Sequence, residues 1–512
     1  VEVVDQEVLQ VQIQEEVEDK MKKHIQILTA LFLVLNGFFT ALFAQNDADL
    51  FRFSKHYHGG SARFEAMGGA FGSLGADISA AQINPAGMGR FSSSQFSLSL
   101  GPTINSTAAD FTSESTKTNK TSFSLPSFGL VLIRDLSGKN KGDMYSQFGF
   151  GMNRVAHYSQ KTTISGEQFP SLIENFMGQA EGYLPEELNS FFPFTTSLAY
   201  ESYTIDFDPN TTSYYSYLNS GDMKMKREVA TKGGINEFFF SYSRNRLNKL
   251  YYGASLNVRT YKHSETYKHS EDLVLPDSVF KGFDYNYTLN TKGTGVNLKL
   301  GVIYLITDGF RIGAAFHTPT LISMEDKWTA NMTGRFVDGN LSVPESLIPQ
   351  AQYKYRMVTP LKTVVSASYV IGMSAVISGD VEYVGYNMAR LLSTRDIAYD
   401  PYDFKFENSE AKARLTGALN YRVGLEYNIQ QKFFLRAGFS LYGNAYKKSE
   451  NVDNKSDIAY SGGIGYKIGN FSIDLAYVNR QIHRTYYPFV GSDIATTKLS
   501  NNNIVITGAI RF

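Results

Sequence analysis

The feature that most constrains this 512-residue chain is a repeated period of two. Phe96, Leu98 and Leu100 alternate with Gln95, Ser97 and Ser99, and Phe471, Ile473, Leu475 and Tyr477 alternate with Ser472, Asp474, Ala476 and Val478. Phe433, Leu435, Ala437, Phe439 and Leu441 do the same. Side chains on a strand point to opposite faces in turn, so each segment predicts a strand with one apolar and one polar face. About fourteen such segments follow one another, at 94–104, 121–134, 144–158, 235–245, 249–262, 292–305, 309–318, 360–371, 374–386, 415–428, 431–442, 457–468, 471–483 and 502–512. Residues 351–358 also look extended. Most segments approach the ~9–11 residues that a tilted strand needs to cross a bilayer. The 37 Phe, 33 Tyr and 43 Gly against 14 Pro favour strands and tight turns over helices.

The connections separate a soluble sandwich from a membrane barrel. Short ones, such as 245–248, 306–309, 429–430 and 469–470, alternate with long ones at 105–120, 159–234, 263–291, 319–359, 387–414, 443–456 and 484–501. Every long loop therefore falls at one end, as in outer-membrane barrels. In lipid every backbone N–H and C=O must be paired, so a spanning sheet has to close on itself. The expected fold is all-β: a transmembrane antiparallel β-barrel of about fourteen strands over 93–512, apolar outside and polar in the lumen. The last strand carries Ile504, Ile506, Ile510 and Phe512 on one face. A terminal aromatic there resembles the sorting signal that such barrels present to their assembly machinery, which assigns that role to Phe512.

The one long apolar run, Ile25 to Ala44, follows Met21-Lys22-Lys23-His24. It reads as a secretory signal peptide over 21–44, cut after Ala44, although Leu42 departs from a strict Ala-x-Ala. Residues 1–20 read as a mis-called start. Lys plus Arg and Asp plus Glu both number 49 and form no basic run, so nothing points to nucleic acid. With no cysteine, disulfides, thiolate metal sites and Cys nucleophiles are excluded.

Residues 45–92 lie outside the strand pattern. They hold Ser61-Ala-Arg-Phe-Glu-Ala-Met-Gly-Gly-Ala-Phe-Gly-Ser-Leu-Gly-Ala-Asp-Ile-Ser79 and then Asn84-Pro85-Ala86-Gly87. Pro85 fixes its own φ and drives Asn84 away from helix. Asn84 can bond turn backbone, and Gly87 and Gly89 allow positive φ. This stretch resembles the N-terminal signature of the FadL family of long-chain fatty acid and hydrocarbon transporters. Shorter pieces agree: Arg311–Pro319, Thr359–Lys362, Gly379–Tyr383 and Arg422–Tyr427.

The resemblance implies that 45–92 is a hatch folded into the lumen. It implies a monomer that passively carries hydrophobic molecules across the bacterial outer membrane, with no enzymatic step and no cofactor. Loops would take the molecule from water or lipopolysaccharide, and it would leave sideways through a kinked third strand. Here that strand carries Gly149 and Gly151 on one face, which mark either such a window or room for the hatch. The other class of function is a structural or adhesive barrel whose long loops bind an external partner.

Other signals are weaker. Phe169, Leu172, Ile173, Phe176 and Met177 have helical spacing in the longest loop, with Pro170 suited to a first turn. They form either a landing surface for a greasy substrate or a loop helix packed on its neighbours. Arg259 and Arg436 face the lumen and meet either a substrate head group or lumen acids. Thr260-Tyr-Lys-His263-Ser-Glu265 recurs as Thr266-Tyr-Lys-His269-Ser-Glu271, which reads as a duplicated loop tip. Six residues of strand span ~20 Å, too far for one metal ion. His56 and His58 are two apart, but a metal there is not expected. Gly69–Gly75 lacks the spacing and lysine of a nucleotide loop. No Gly-x-Ser-x-Gly marks a lipase.

Overall fold

The computed structural model describes residues 48–138, 142–168, 170–217, 223–274, 279–372, 374–394, 402–450 and 455–512. The expectations for 1–44 and for Phe169 lie outside these residues.

Fourteen antiparallel strands form one closed ladder, in which each strand pairs with the next and the last returns to the first. They are β1 Gln95–Phe111, β2 Glu114–Asp135, β3 Asp143–His157, β4 Met223–Arg246, β5 Leu250–Leu273 and β6 Phe280–Leu305. Then come β7, Phe310–His317 continued as Leu321–Phe336, and β8, Gln350–Val358 continued as Lys362–Ile371. The set closes with β9 Ala375–Gly385, β10 Gly417–Ile429, β11 Phe433–Tyr442, β12 Asp457–Ile468, β13 Phe471–Tyr486 and β14 Ala495–Arg511. Closure leaves no unpaired sheet edge, which is what a wall in hydrocarbon requires.

Outward positions form an apolar belt that includes Phe96, Leu98, Phe240, Leu298, Leu425 and Ile506, all exposed. Inward positions are Ser, Thr, Asn and charged residues, buried beneath the hatch and one another.

The strands are longer than the sequence suggested. β4 and β5 have 24 residues each and β6 has 26, so these hairpins stand well above the belt. The stretches 105–120 and 263–291 are therefore mainly strand, and β1 turns into β2 at Thr112-Ser113. Above the belt their outer faces turn polar, while the inner faces mix polar residues with aromatics such as Tyr267, Phe283 and Tyr285, so the alternation that betrays a strand is lost. The duplicated segment is also strand and not a loop tip. Its six-residue repeat puts Tyr261, His263 and Glu265, and then Tyr267, His269 and Glu271, on the inner face of β5. The two stretches suspected for the eighth strand are both used, as two parts of β8 separated by residues 359–361.

Residues 171–215, between β3 and β4, form a cap. It contains α2 Leu172–Ala180, α3 Pro185–Phe191 and α4 Thr196–Glu201, numbered after α1 of the hatch, Ala62–Ala66. Leu172, Ile173, Phe176, Leu198 and Ile205 pack against Phe280, Phe283 and Met332 on the inner faces of β6 and β7. Ser171 is the α2 cap, accepting from the Ile173 N–H, so Pro170 lies just before the helix and not in its first turn. The second duplicated copy holds this end: Glu271 accepts from Ser171 Oγ and from the Leu172 N–H. The first copy meets the start of the hatch, with Glu265 3.6 Å from Arg52 and His263 against Phe53.

Candidate functional site: the hatch and the β2–β3 seam

After a helical turn at 48–54, three short helical pieces build the rest of the hatch, each started by a side-chain cap. Ser61 caps α1, Asp77 caps the turn Ile78–Gln82, and Asn84 caps the turn Pro85–Arg90. The first two are tied together, since Ser61 Oγ donates to Asp77 Oδ2 at 2.7 Å. Helices this short are unstable alone, so the caps and the surrounding wall must hold them.

Asn84 is completely buried and joins hatch to wall. Its Oδ1 accepts from the Ala86 N–H at 3.0 Å. Its Nδ2 faces the carbonyls of Gly72 at 2.7 Å, Val302 on β6 at 3.1 Å and Ala314 on β7 at 3.3 Å. Pro85 begins the turn, and its carbonyl accepts from Ser243 Oγ of β4. Gly87 and Gly89 have no positive φ, contrary to expectation; those glycines are Gly68, Gly69 and Gly75. Gly87 is needed for contact instead, because a Cβ there would sit 3.0 Å from Gly75 Cα.

The wall makes room for this packing. A Cβ on Gly301 would lie 1.8 Å from Asn84 Oδ1, on Gly438 2.2 Å from the Gly68 N, and on Gly313 2.4 Å from the Gly72 O. Gly149 and Gly151 belong to the same set. A Cβ on Gly149 would meet Met88 Cε of the hatch at 2.6 Å, and one on Gly151 would meet the Phe128 carbonyl at 2.4 Å and the Phe239 ring at 2.9 Å. Both glycines are paired on both sides, with Val131 and Ser241 and with Gly129 and Phe239. The ladder is continuous there, so these two residues do not mark an opening. They accommodate Met88 and Phe239.

The break lies one step further along. The β2–β3 ladder stops at Ser127–Asn153, and β3 bulges against β4 between Arg154 and Ala156. Pro126, next on β2, has no N–H to offer. The hatch takes over the pairing: the Gly59 N–H donates to the Arg154 carbonyl at 3.0 Å and the Tyr57 N–H to the Val155 carbonyl at 3.1 Å. Beyond this point β3 continues as Gln160–Gln168 behind β2, held by side chains such as Ser122 Oγ to His157 Nε2 at 2.9 Å. A cleft opens at the split, lined by Tyr57, Glu65, Ser124, Pro126, Arg154 and His157. Burial pushes the Glu65 carboxyl up to about 7, against the pull of the Gly60 N–H and Arg480.

The other predicted residues are not free to meet a ligand. Leu172, Ile173 and Phe176 are core of the cap, with Met177 packed partly buried against them. Arg259 is buried and pairs with Glu237 at 2.6 Å, and Arg436 is buried and pairs with Glu426 and Asp474 at 2.7 and 2.6 Å. A buried guanidinium needs such a partner, and the lumen acids provide it. Among the described residues no group of three metal-ligating side chains gathers. Phe512 is exposed on the outer face, with its N–H bonded to the Ser94 carbonyl at 2.9 Å. Sequence reasoning missed the seam, because the hatch segment that completes it, Tyr57 to Gly59, carries no strand pattern of its own.

No protein-family model matches the chain, and no curated protein matches it. Solved structures do. A Pseudomonas aeruginosa FadL homologue aligns over 90% of this chain and 100% of its own, at 13% identity and a TM-score of 0.54. The P. putida toluene transporter TodX aligns over 89% and 99%, at 15% identity and a TM-score of 0.51. The likeness at these identities is one of fold: this chain has the hatch-plugged barrel fold of the FadL type.

Proposed function

We propose that the chain is a passive channel of the bacterial outer membrane for hydrophobic small molecules, acting as a monomer with the long hairpins outside. The observation that carries this is the seam, where hatch backbone stands in for β2 beside β3. A hatch that completes the wall opens the wall when it moves. The barrel's fold is shared with a toluene transporter and a FadL homologue, which supports the hydrophobic class of cargo. Fatty acids and hydrocarbons both fit it.

In this reading the cap receives the molecule. Leu172, Ile173 and Phe176 are buried, and the exposed apolar residues of the cap, Leu184 and Phe191, take their place. The molecule passes inward, the Tyr57–Gly59 segment withdraws from β3, and the molecule leaves sideways at the cleft. Lateral exit is favoured because each CH₂ delivered to water instead costs ~0.8 kcal/mol. No covalent step is involved. Phe512 presents the barrel to the assembly machinery.

The test uses the absence of native cysteine. Ser122→Cys and His157→Cys are joined across the seam by a short cleavable bis-maleimide. Uptake of a lipophilic fluorophore into proteoliposomes should fall several-fold and recover when the linker is cut. Full uptake by the tethered protein overturns lateral exit at this seam. An untethered protein that never carries lipophiles overturns the transport reading itself and favours an adhesive barrel.

A further inference from the structure

Above the apolar belt the outer face of the wall is not uniform. On β13, β14, β1 and β2 the first two rows beyond Tyr477 and Ile504 hold Asn479, Asn502 and Thr121, then Gln481, Ser500 and Asn119. These two rows are uncharged, and the third holds His483, Lys498 and Lys117. On β4 to β8 the last apolar row is Phe238, Val258, Val296, Leu321 and Val358. The row above it is Asn236, Thr260, Thr294, Ser323 and Arg356, whose Nε donates to the Ser393 carbonyl. The second row is Lys262, Lys292, Glu325 and Lys354, and the third holds Lys232 and Lys327.

All five lysines are exposed. Among the described residues none of them has a carboxylate within the 4.0 Å of an ion pair, Glu325 being hydrogen-bonded to Gln352. Lys262 and Lys292 stand directly opposite each other on neighbouring strands. Like charges so placed destabilise a sheet. The wall therefore carries a repulsive pair on a side where five lysines and Arg356 face a single carboxylate in these rows, that of Glu325 opposite Lys292 and Lys354.

Height identifies the counter-charge. The second row is four residues above the belt, which at ~3.3 Å per residue and a ~40° tilt is about 10 Å beyond the hydrocarbon edge. The headgroup layer occupies roughly the first 5–8 Å, and a flexible lysine stem reaches back into it. The patch spans five adjacent strands, or about 19 Å at ~4.8 Å per strand. That is too wide for one phosphate and suits a headgroup with several. Lys is a compact charge that takes phosphate oxygens without a fixed fork geometry.

We propose that Lys232, Lys262, Lys292, Lys327 and Lys354 form a binding site on the outer wall for the multiply phosphorylated glycolipid headgroup of the outer leaflet. The proposal rests on the outer-membrane reading above, with the long hairpins outside. Bound glycolipid neutralises the Lys262–Lys292 pair and fixes the barrel's height on the side where β4 to β8 rise furthest.

The experiment takes the full chain in zwitterionic detergent and measures retained lipid by native mass spectrometry. The probes are diphosphoryl lipid A, its dephosphorylated form and inorganic phosphate. The wild type should retain diphosphoryl lipid A and not the dephosphorylated form. Lys262→Gln/Lys292→Gln/Lys354→Gln should retain it on the order of a hundredfold more weakly, at about fivefold per lysine near a charged surface. The same three positions as Arg should restore retention. Lys117→Gln/Lys498→Gln, in the third row of the other side, should leave it unchanged. Equal retention by the Gln variant, or equal loss in the Lys117/Lys498 control, overturns the proposal. So does protection by inorganic phosphate that matches lipid A, which would make this an ion site only. Lipophile uptake into phosphatidylcholine liposomes, measured in parallel, keeps the two readings separate. Normal uptake without glycolipid binding sinks this proposal and leaves transport standing.

Discussion

At the scale of single residues, the hatch is held by a few side chains that bond in several directions. Asn84 caps a turn and reaches Gly72, Val302 and Ala314, so it fixes the hatch to itself and to two wall strands. Asn84→Ala removes the cap and strands buried carbonyls, a loss of roughly 2–4 kcal/mol of hatch docking. The barrel should still assemble, and planar-bilayer recordings should show open events that are absent in the wild type. Glu65 gives a pH dependence. Burial raises its carboxyl from 4.5 to about 7 in the docked state, so docking takes up a proton between those values. Docking is therefore strongest below about pH 4.5, weakens as pH rises towards 7, and is flat above. With the intrinsic base catalysis of amide exchange divided out, the hatch amides should be less protected at pH 8 than at pH 5, by up to roughly 3 kcal/mol in opening free energy. In Glu65→Gln that difference should vanish; its persistence would assign the effect to another group.

At the scale of elements, the long strands turn a local repeat into a two-sided device. The inner face of the duplicated β5 segment holds the start of the hatch through Glu265 and the cap through Glu271, while its outer face carries Lys262 and Lys268. The helix α2 was legible from its spacing, but its role was not. Apolar spacing says that a face is covered, not by what, and here the inner faces of β6 and β7 cover it. β14 is the element on which closure depends, since it pairs with both β13 and β1. Its terminal aromatic points outward and is exposed. Phe512→Asp should leave export intact and lower the amount of heat-modifiable barrel in the outer membrane. Normal accumulation would remove the sorting role.

At the scale of the whole molecule, the wall and the hatch have different sources of stability. The wall is a closed ladder that needs no hatch to satisfy its backbone except at the seam. The hatch has short helices, positive-φ glycines and caps, and sits in recesses left by Gly301, Gly313 and Gly438. Deleting 46–88 should leave a folded barrel that conducts ions steadily in planar bilayers. A closed conductance after deletion would mean that the cap and the lumen side chains seal the pore without the hatch.

Period-two alternation by itself determined the class of fold, the number of wall strands and which end carries the short turns. The physical reason is that lipid on one side and a polar lumen on the other write a different residue type at every second position. Above the belt the outer face is polar and the inner face mixes polar and aromatic residues, as on the upper parts of β1, β2 and β4 to β6, so that record fades, and only the tertiary structure decided that these stretches are strand. The Asn-Pro-Ala-Gly turn was legible because its chemistry is local, down to the extended Asn84 and the cap it provides. Whether Gly149 and Gly151 were a window or a recess depended on Met88, about sixty positions away in sequence. The pairing of Arg259 and Arg436, and the hatch backbone that closes the seam beside β3, are likewise long-range contacts. They are set by which strands closure brings together across the lumen, and no short stretch of sequence records them.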